Sequence, residues 1–332
     1  MKDTIKKLVE AWGPSGFEHH VRALIQEEIA GLADEMRTDP VGNLICRMGS
    51  GGVKIMIAAH MDEIGLMLTY QDDRGFFRFS NLGGLRPDTL LGNRVRFENG
   101  AIGVIGREGR FWPDGVPALD TFYVDLHDGN DGSAGVQVGD AAGFHRPLEE
   151  RGNRLIAKSF DDRIGCAIAI ETMRRLHNGR STPHEVYFVF TVQEEVGLRG
   201  ARPAAFGLAP DLGIAIDITS SGDTPRAMER MDVALGKGTA IKVQDAGLIV
   251  PPAVKKLMIA RAEEAGIPYQ LELLQAGSTD AAGISISGAG APSGCISIPT
   301  RYVHTVSETI DMRDVTASVD LLVEILAKPV AL

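Results

Sequence analysis

Four short apolar segments of this chain each end on a residue that can bind a metal ion. The segments span residues 54–60, 185–195, 212–217 and 295–304. Their last residues are His60, Glu195, Asp217 and His304. If the segments are strands of an open α/β sheet, these side chains meet at one edge, because ligands bind outside the carboxyl ends of such strands. Histidine and carboxylate ligands in this number predict a two-metal hydrolytic site.

Asp161 and Asp162 open the stretch 161–173, whose apolar spacing predicts a helix. Carboxylates at a helix start also cap free N–H groups, and this structural role stays open for the pair. In the functional interpretation Asp161 bridges two cations, because a carboxylate has two oxygens and can hold ions roughly 3.5–4 Å apart.

The adjacent Glu194 and Glu195 are the strongest local signal in the chain. Two carboxylates at the end of an apolar strand repel each other, so a nearby cation is needed to offset the repulsion. Neighbours on an extended chain point apart, which suits one metal ligand and one group held off the metal. We therefore expect Glu195 to bind metal and Glu194 to act as the general base, with a solvated surface pair as the alternative.

The remaining candidate residues are weaker evidence for a metal site when each is considered alone. Asp62 lies on the same side of the strand as His60 and can hold its second imidazole nitrogen, yet such pairs also have purely structural roles. Asp217 can be an ordinary turn residue, and His304 can be a core histidine. The coincidence of all these residues at predicted strand ends or a helix start favours the metal site.

Composition excludes several classes of partner. A chain of 332 residues, 44% of them apolar, predicts about two domains with a buried core. The formal net charge of −10 argues against nucleic-acid binding. The chain also has no basic tract for an anionic membrane and no apolar run of bilayer length. We therefore expect no nucleic acid and no membrane among the partners.

A cytoplasmic location is the default expectation. The segment 1–13 is typical of an amphipathic helix rather than a signal peptide. Cys46, Cys166 and Cys295 are widely spaced and form no CxxC motif, so we expect reduced, buried thiols rather than a nucleophile.

The sequence pattern changes between about residues 69 and 151. Short strand-like runs there are broken by glycine-rich turns, which is typical of a small β-rich domain. On either side strands alternate with helical stretches, expected at 18–32, 163–176, 254–265 and 314–326. This alternation predicts an α/β fold in which helices sandwich a mixed β-sheet. We expect a discontinuous catalytic domain, residues 1–66 and 153–332, with residues 67–152 inserted after the first ligand strand.

Eight motifs, in order from about Gly13 to Met312, resemble those of the dinuclear metallo-aminopeptidases of the glutamyl and tetrahedral (TET) aminopeptidase family. The motifs are GPSGFE, AAHMDEIG, SFDDRIG, TVQEEVGLRGA, AIDIT, LGKGTAI, AGSTDAAG and IPTRYVHT. This resemblance covers nearly the whole chain. It implies a fold of the zinc-exopeptidase type, in which the inserted β-rich segment is a barrel-like domain used in dimerisation and assembly.

By matching motifs, the resemblance implies two divalent metal ions per subunit. His60 and Asp217 would hold one ion, and Glu195 and His304 the other. Asp161 would bridge the two ions. Zinc is the first expectation for the metal, with cobalt and manganese open.

The resemblance also implies roles for the other residues of the site. Glu194 would be the general base, Asp62 would orient His60, and a cis peptide bond would join Asp161 to Asp162. The expected reaction removes N-terminal amino acids from short peptides by means of a metal-activated water.

Members of that family build dimers into tetrahedral dodecamers, so a homo-oligomer is expected, with dimer or dodecamer open. Three alternatives to the aminopeptidase stay open. A deacylase or carboxypeptidase can use the same metal pair, because the ligands define the water and not the substrate. A glycoside hydrolase needs two carboxylates about 5–9.5 Å apart. A non-enzymatic assembly protein would be expected to have lost Glu194 or a ligand.

Side-chain selectivity is left open between acidic and neutral N-terminal residues. A glutamyl preference needs a cationic side chain in the pocket. Arg199, Lys237 and Arg301 lie near the site motifs, but each can equally be a surface or ion-pair residue.

Overall fold

The computed structural model describes residues 1–109, 115–126, 134–227 and 231–331. Within these ranges the helices are α1 (Lys2–Glu10), α2 (His19–Glu28), α3 (Phe160–His177), α4 (Ala201–Leu208), α5 (Pro252–Ala265), α6 (Asp280–Ser285) and α7 (Met312–Leu326). The first nine strands are β1 (Glu35–Thr38), β2 (Leu44–Met48), β3 (Lys54–His60), β4 (Gly65–Gln71), β5 (Phe77–Leu82), β6 (Arg94–Phe97), β7 (Ile102–Arg107), β8 (Phe122–Asp125) and β9 (Ala141–Phe144). The others are β10 (Glu149–Arg151), β11 (Arg154–Ala157), β12 (Glu185–Thr191), β13 (Leu212–Ser220), β14 (Thr239–Gln244), β15 (Tyr269–Leu273), β16 (Ser293–Thr300) and β17 (Glu308–Asp311).

An eight-stranded mixed sheet forms the body of the protein, in the order β1-β2-β12-β3-β13-β16-β14-β15. Its four middle strands, β12, β3, β13 and β16, are parallel to one another. Their carboxyl ends therefore lie along the same edge of the sheet. These strands are almost entirely buried, which explains why their sequences are continuous apolar runs rather than alternating ones.

Helices cover both faces of this sheet, and β3 shows how the sequence achieves it. Ile55, Ile57 and Ala59 enter the core that also contains residues of α1, α2, α3, α5 and α7. Met56 and Ala58 point the other way and pack with α4 and α6. Alternate residues of a strand face opposite sides, so one apolar run supplies two cores. This helix–sheet–helix arrangement confirms the predicted α/β fold class.

A closed barrel follows β3 along the chain, with strand order β4-β5-β8-β7-β6-β9. Phe77, Phe97 and Phe122 are among the side chains of its separate apolar core. The barrel thus agrees with the predicted β-rich insertion, whose exact limits at residues 67 and 152 stay a prediction. The strands β10, β11 and β17 form a small third sheet.

The predicted ends of three ligand strands need correction. β13 does not end at Asp217 but continues to Ser220, because the hydrogen-bonding ladder with β16 extends past the apolar run. β12 ends four residues before Glu195, and β16 ends four residues before His304. Thus one ligand candidate lies inside a strand, and two lie in the loops that follow strands.

The other elements agree more closely with the sequence. The predicted strand Lys54–His60 is confirmed at both ends. The helix expected at 18–32 ends at Glu28, while the other three predicted helices begin and end within three residues of α3, α5 and α7. The three cysteines are free and buried, as expected. In the described ranges no helix combines the length and apolarity needed to cross a bilayer.

Candidate metal centre

His60, the last residue of β3, lies between two carboxylates at the carboxyl edge of the sheet. Its Nε2 atom is 3.0 Å from Oδ1 of Asp161, and its Nδ1 atom is 3.3 Å from Oδ1 of Asp62. The ring is buried. A carboxylate on one ring nitrogen holds the imidazole in a fixed orientation and leaves the other nitrogen to face the site.

Asp161 links the two histidines of the site. Its Oδ1 faces His60, whereas its Oδ2 lies 3.3 Å from Nε2 of His304. The same His304 nitrogen is 3.3 Å from Oε2 of Glu195. The peptide bond between Asp161 and Asp162 is cis, as the resemblance implies. Asp161 therefore lies between the two histidines, and His304 contacts both Asp161 and Glu195.

Asp217 also lies close to His60. Potential ligand atoms of His60, Asp162 and Asp217 all lie within 4.8 Å of one another. The same is true of a second set, made of His60, Asp161 and Glu195. Two overlapping sets that share one histidine indicate room for more than one cation.

Two buried carboxylates hold the backbone of the site, a role that the sequence did not predict for either of them. Asp162 accepts a hydrogen bond from the backbone N–H of His60, at 3.1 Å. Glu308 accepts one from the N–H of Asp161 at 3.2 Å and one from the N–H of His304 at 3.0 Å. Glu308 begins β17, and no local motif distinguished it from an ordinary strand residue.

The barrel also contributes to the site, through Gly84 in the segment after β5. The Nδ1 atom of His304 lies 2.9 Å from the carbonyl oxygen of Gly84, which accepts the ring N–H. A Cβ atom on Gly84 would lie only 2.7 Å from that nitrogen. Only glycine therefore fits against this face of His304.

Asp62 fixes the two glutamates as well as His60. Its Oδ1 accepts a hydrogen bond from the N–H of Glu194 at 3.0 Å, and its Oδ2 accepts one from the N–H of Glu195 at 3.2 Å. The hydroxyl of Ser15, in the early GPSGFE motif, donates to Oδ2 at 2.6 Å. One buried carboxylate thus positions a histidine and the backbone of both glutamates.

Like charges are crowded in this cluster. Burial, reinforced by the charge of Asp217, raises the pKa of Glu194 well above its ordinary value. Burial and the charge of Asp161 do the same to the pKa of Asp217. Burial also tends to raise the pKa of Asp161, but hydrogen bonds from His304 and His60 outweigh this effect, so the pKa is lowered. The protein has therefore placed several carboxylates where they need compensating positive charge.

Divalent cations fit this requirement. Four buried or nearly buried carboxylates, Asp161, Glu194, Glu195 and Asp217, converge with two histidines. Within the described part of the chain, the buried Oε1 atom of Glu195 has no hydrogen-bond partner. A buried carboxylate oxygen without a donor is costly unless a cation binds it. Oxygen and imidazole donors in this proportion suit zinc, cobalt or manganese.

The structure brings all seven sequence-predicted site residues into one cluster. They are His60, Asp62, Asp161, Glu194, Glu195, Asp217 and His304. The side chain of Glu194 is only 10% exposed, so the surface-pair alternative for the two glutamates does not describe this fold. Their individual roles in catalysis stay a prediction.

Comparison with known proteins gives a consistent result. A family model described as M42 glutamyl aminopeptidase matches residues 42–321. A putative aminopeptidase from Acetivibrio thermocellus is 45% identical over 326 residues, which are 98% of this chain and 98% of that protein. A lysyl aminopeptidase from Pyrococcus furiosus is 34% identical over 338 residues, covering 96% of this chain and 94% of the relative.

The fold is also found among solved structures. The TET1 peptidase of Pyrococcus horikoshii, described as able to assemble into a tetrahedron or a large octahedral shell, superimposes with a TM-score of 0.86. It is 30% identical, and the match covers 98% of each chain.

Proposed function

Because the chain belongs to the M42 glutamyl aminopeptidase family and is therefore a metal-dependent aminopeptidase, we propose that the cluster at the sheet edge is its active site. The observation that carries this proposal is the position of Asp161, whose two oxygens face His60 and His304 separately. A carboxylate in that position can hold two cations at once, because each oxygen is an independent ligand.

The ligands divide into two pairs around Asp161. His60 and Asp217 hold one divalent ion, and Glu195 and His304 hold the other. Zinc is the first candidate, with cobalt and manganese as alternatives. Two such ions, when bound, lower the pKa of a shared water and polarise the scissile carbonyl.

Glu194 is the general base. Its Oε2 atom lies 3.9 Å from Nε2 of His60, and the side chain lines the cleft that opens from the site. This carboxylate takes a proton from the attacking water and passes it to the leaving amine. Asp62 is a positioning residue, because it holds the ring of His60 and the backbone of Glu194 without facing the cleft.

The substrate is a short peptide with a free N-terminal amine. That amine binds beside the carboxylates of the site, so a blocked N-terminus loses the interaction. The family assignment favours this reaction over the deacylase, carboxypeptidase and glycoside hydrolase alternatives, and the presence of Glu194 and every ligand argues against a non-enzymatic protein.

An assay of matched substrates tests this function. We expect the metal-reconstituted protein to cleave aminoacyl-p-nitroanilides but not their N-acetylated forms, and to lose activity with a chelator. Glu194→Gln should lower kcat by about 10²–10⁴-fold with little change in metal content, because only the proton acceptor is lost. Glu150→Gln, at an exposed position, is the matched control. Equal cleavage of acetylated substrates, or full activity in Glu194→Gln, would refute the proposal.

A homo-oligomer in the cytoplasm is the proposed physiological form, with dimers assembled through the barrel domain into a tetrahedral dodecamer. The likeness to a peptidase that forms tetrahedra supports this assembly. A sedimentation mass of twelve chains is the expected result, and a mass of two chains would limit the assembly to the dimer.

A further inference from the structure

A cleft of about 490 Å³ leads away from the proposed metal centre. Its lining includes four carboxylates and His304. The lining also includes apolar residues from the segments around α4, β13, β15 and β16, namely Leu198, Ile218, Leu274, Ala276 and Val303. Among the described residues that line this cleft, none is lysine or arginine.

Four hydroxyl side chains are among the described residues that line the cleft, those of Thr219, Ser220, Ser278 and Thr279, and three of them have protein partners. Thr219 donates to Oε1 of the buried Glu272 at 2.8 Å. Ser278 is 3.4 Å from Oδ1 of Asp245, to which it donates. Oγ1 of Thr279 accepts the N-terminal capping hydrogen bond of α6. These three hydroxyls contact the protein, so the wall facing a substrate side chain is more apolar than its residue types suggest.

The arginines of the adjoining cavity are paired as well. A second cavity of about 360 Å³ adjoins the cleft and shares Val303 and His304 with it. Arg301 lines this cavity and donates two hydrogen bonds of 2.8 Å, from Nε and Nη2, to the carboxylate of Asp223. Arg86, also in its lining, donates to Asp88 at 3.2 Å. Each cation is matched by a carboxylate, so the adjoining cavity offers little net positive charge.

The two other cations near the site motifs do not reach the cleft. Arg199 is exposed and contacts Gln193 at 3.4 Å, and Lys237 is exposed. Neither is part of the cleft lining. The sequence therefore offered three candidate cations for an acidic substrate, and the fold makes none of them available.

We infer that this enzyme removes neutral, chiefly aliphatic N-terminal residues and discriminates against acidic ones. This inference rests on the proposed function, because it treats the cleft as the place of the substrate's N-terminal side chain. A leucine or methionine side chain would bury its surface against Leu274 and Ile218. A glutamate side chain would lose water without gaining a cation.

An N-terminal lysine of the substrate gains no ion-pair partner in the cleft either. The carboxylates that face the cleft are Asp161, Glu194, Glu195 and Asp217, all of which belong to the proposed metal centre. With ions bound there, their charge is already matched. Removing a lysyl side chain from water therefore costs free energy that no new ion pair offsets. We expect leucine to be preferred to lysine for this reason.

The test compares kcat/KM for leucyl-, glutamyl- and lysyl-p-nitroanilide in the metal-loaded enzyme. We expect leucine to exceed glutamate by about 100-fold, the scale on which an apolar pocket rejects a substrate that carries an added polar group. Leu274→Arg should raise the glutamate-to-leucine ratio by about tenfold, because it adds a cation to a half-buried position of the wall. Leu274→Met, which keeps volume without charge, should leave the ratio within about threefold. Arg199→Gln should change neither ratio nor activity.

The outcomes separate the two proposals. Cleavage in which glutamate or lysine is preferred to leucine would overturn this inference and leave the aminopeptidase function intact. A fall in the glutamate-to-leucine ratio in Arg199→Gln would also overturn it, since Arg199 would then be the selecting cation. Failure to cleave any of the three free-amine substrates would refute the proposed function and this inference together.

Discussion

Asp62→Asn is the sharpest test of how the site is built, because each oxygen of this buried carboxylate serves two groups. Oδ1 faces the N–H of Glu194 at 3.0 Å and Nδ1 of His60 at 3.3 Å. Oδ2 faces the hydroxyl of Ser15 at 2.6 Å and the N–H of Glu195 at 3.2 Å. An asparagine amide keeps one acceptor oxygen and turns an NH₂ group towards the other pair.

The expected loss of stability is worked out for the less costly of the two orientations of that amide. The hydroxyl of Ser15 can rotate and accept from the NH₂ group, so the amide nitrogen should replace Oδ2. The N–H of Glu195 then loses its acceptor, which costs about 1–3 kcal/mol, and the remaining bonds weaken from charged to neutral. We expect the metal-free protein to lose about 2–4 kcal/mol in its free energy of unfolding. Metal affinity or kcat/KM should fall about 10–100-fold, as is usual when the group behind a ligand is changed.

Three measurements check this expectation. Urea unfolding of the metal-free protein gives the stability change, zinc titration against a competing chelator gives metal affinity, and kcat/KM is measured at saturating metal. Asp73→Asn, at an exposed position, is the control for the same chemical change. If Asp62→Asn matches wild type within about twofold in both metal affinity and kcat/KM, Asp62 does not position the site and the reasoning is wrong.

Two further predictions concern the barrel contact and pH. Gly84→Ala places a Cβ atom 2.7 Å from Nδ1 of His304, so zinc affinity should fall at least about tenfold, whereas Gly207→Ala, in open space on α4, should bind zinc normally. Burial raises the pKa of Asp314 to about 6, against 3.8 unfolded, so the unfolded chain releases this proton first and stability falls as pH rises from about 4 to 6. The size of this shift corresponds to a loss of about 1–2 kcal/mol, and the fall in stability measured by urea unfolding at pH 4, 5 and 6 should be larger in wild type than in Asp314→Asn by this amount.

Most of the fold class and the identity of the site residues follow from local patterns. The strand Lys54–His60 is correct at both ends because an apolar run is bounded by a glycine-rich turn on one side and polar residues on the other. His60 and Asp62 share a side of the chain because strand periodicity is a property of adjacent residues. The change from alternating helices and strands to short strand-like runs was likewise enough to predict the β-rich insertion.

The features that the sequence did not predict depend on pairing between distant segments of the chain. Asp217 looked like a strand end, but β16 supplies hydrogen-bonding partners for three more residues of β13. Nothing near Gly84 in the sequence shows that its carbonyl oxygen meets His304, since the closed barrel brings together residues 220 positions apart. Arg301 looked like a candidate for recognising an acidic substrate until the fold placed Asp223 against it.

The sequence by itself thus determined which side chains can bind metal and which face of each element is apolar, because both depend on residue type and short-range periodicity. Tertiary structure alone decided which donors and charges are already paired. Hydrogen-bonding ladders and ion pairs join residues whose separation along the chain has no local signature, and they determine which groups remain free to meet a substrate.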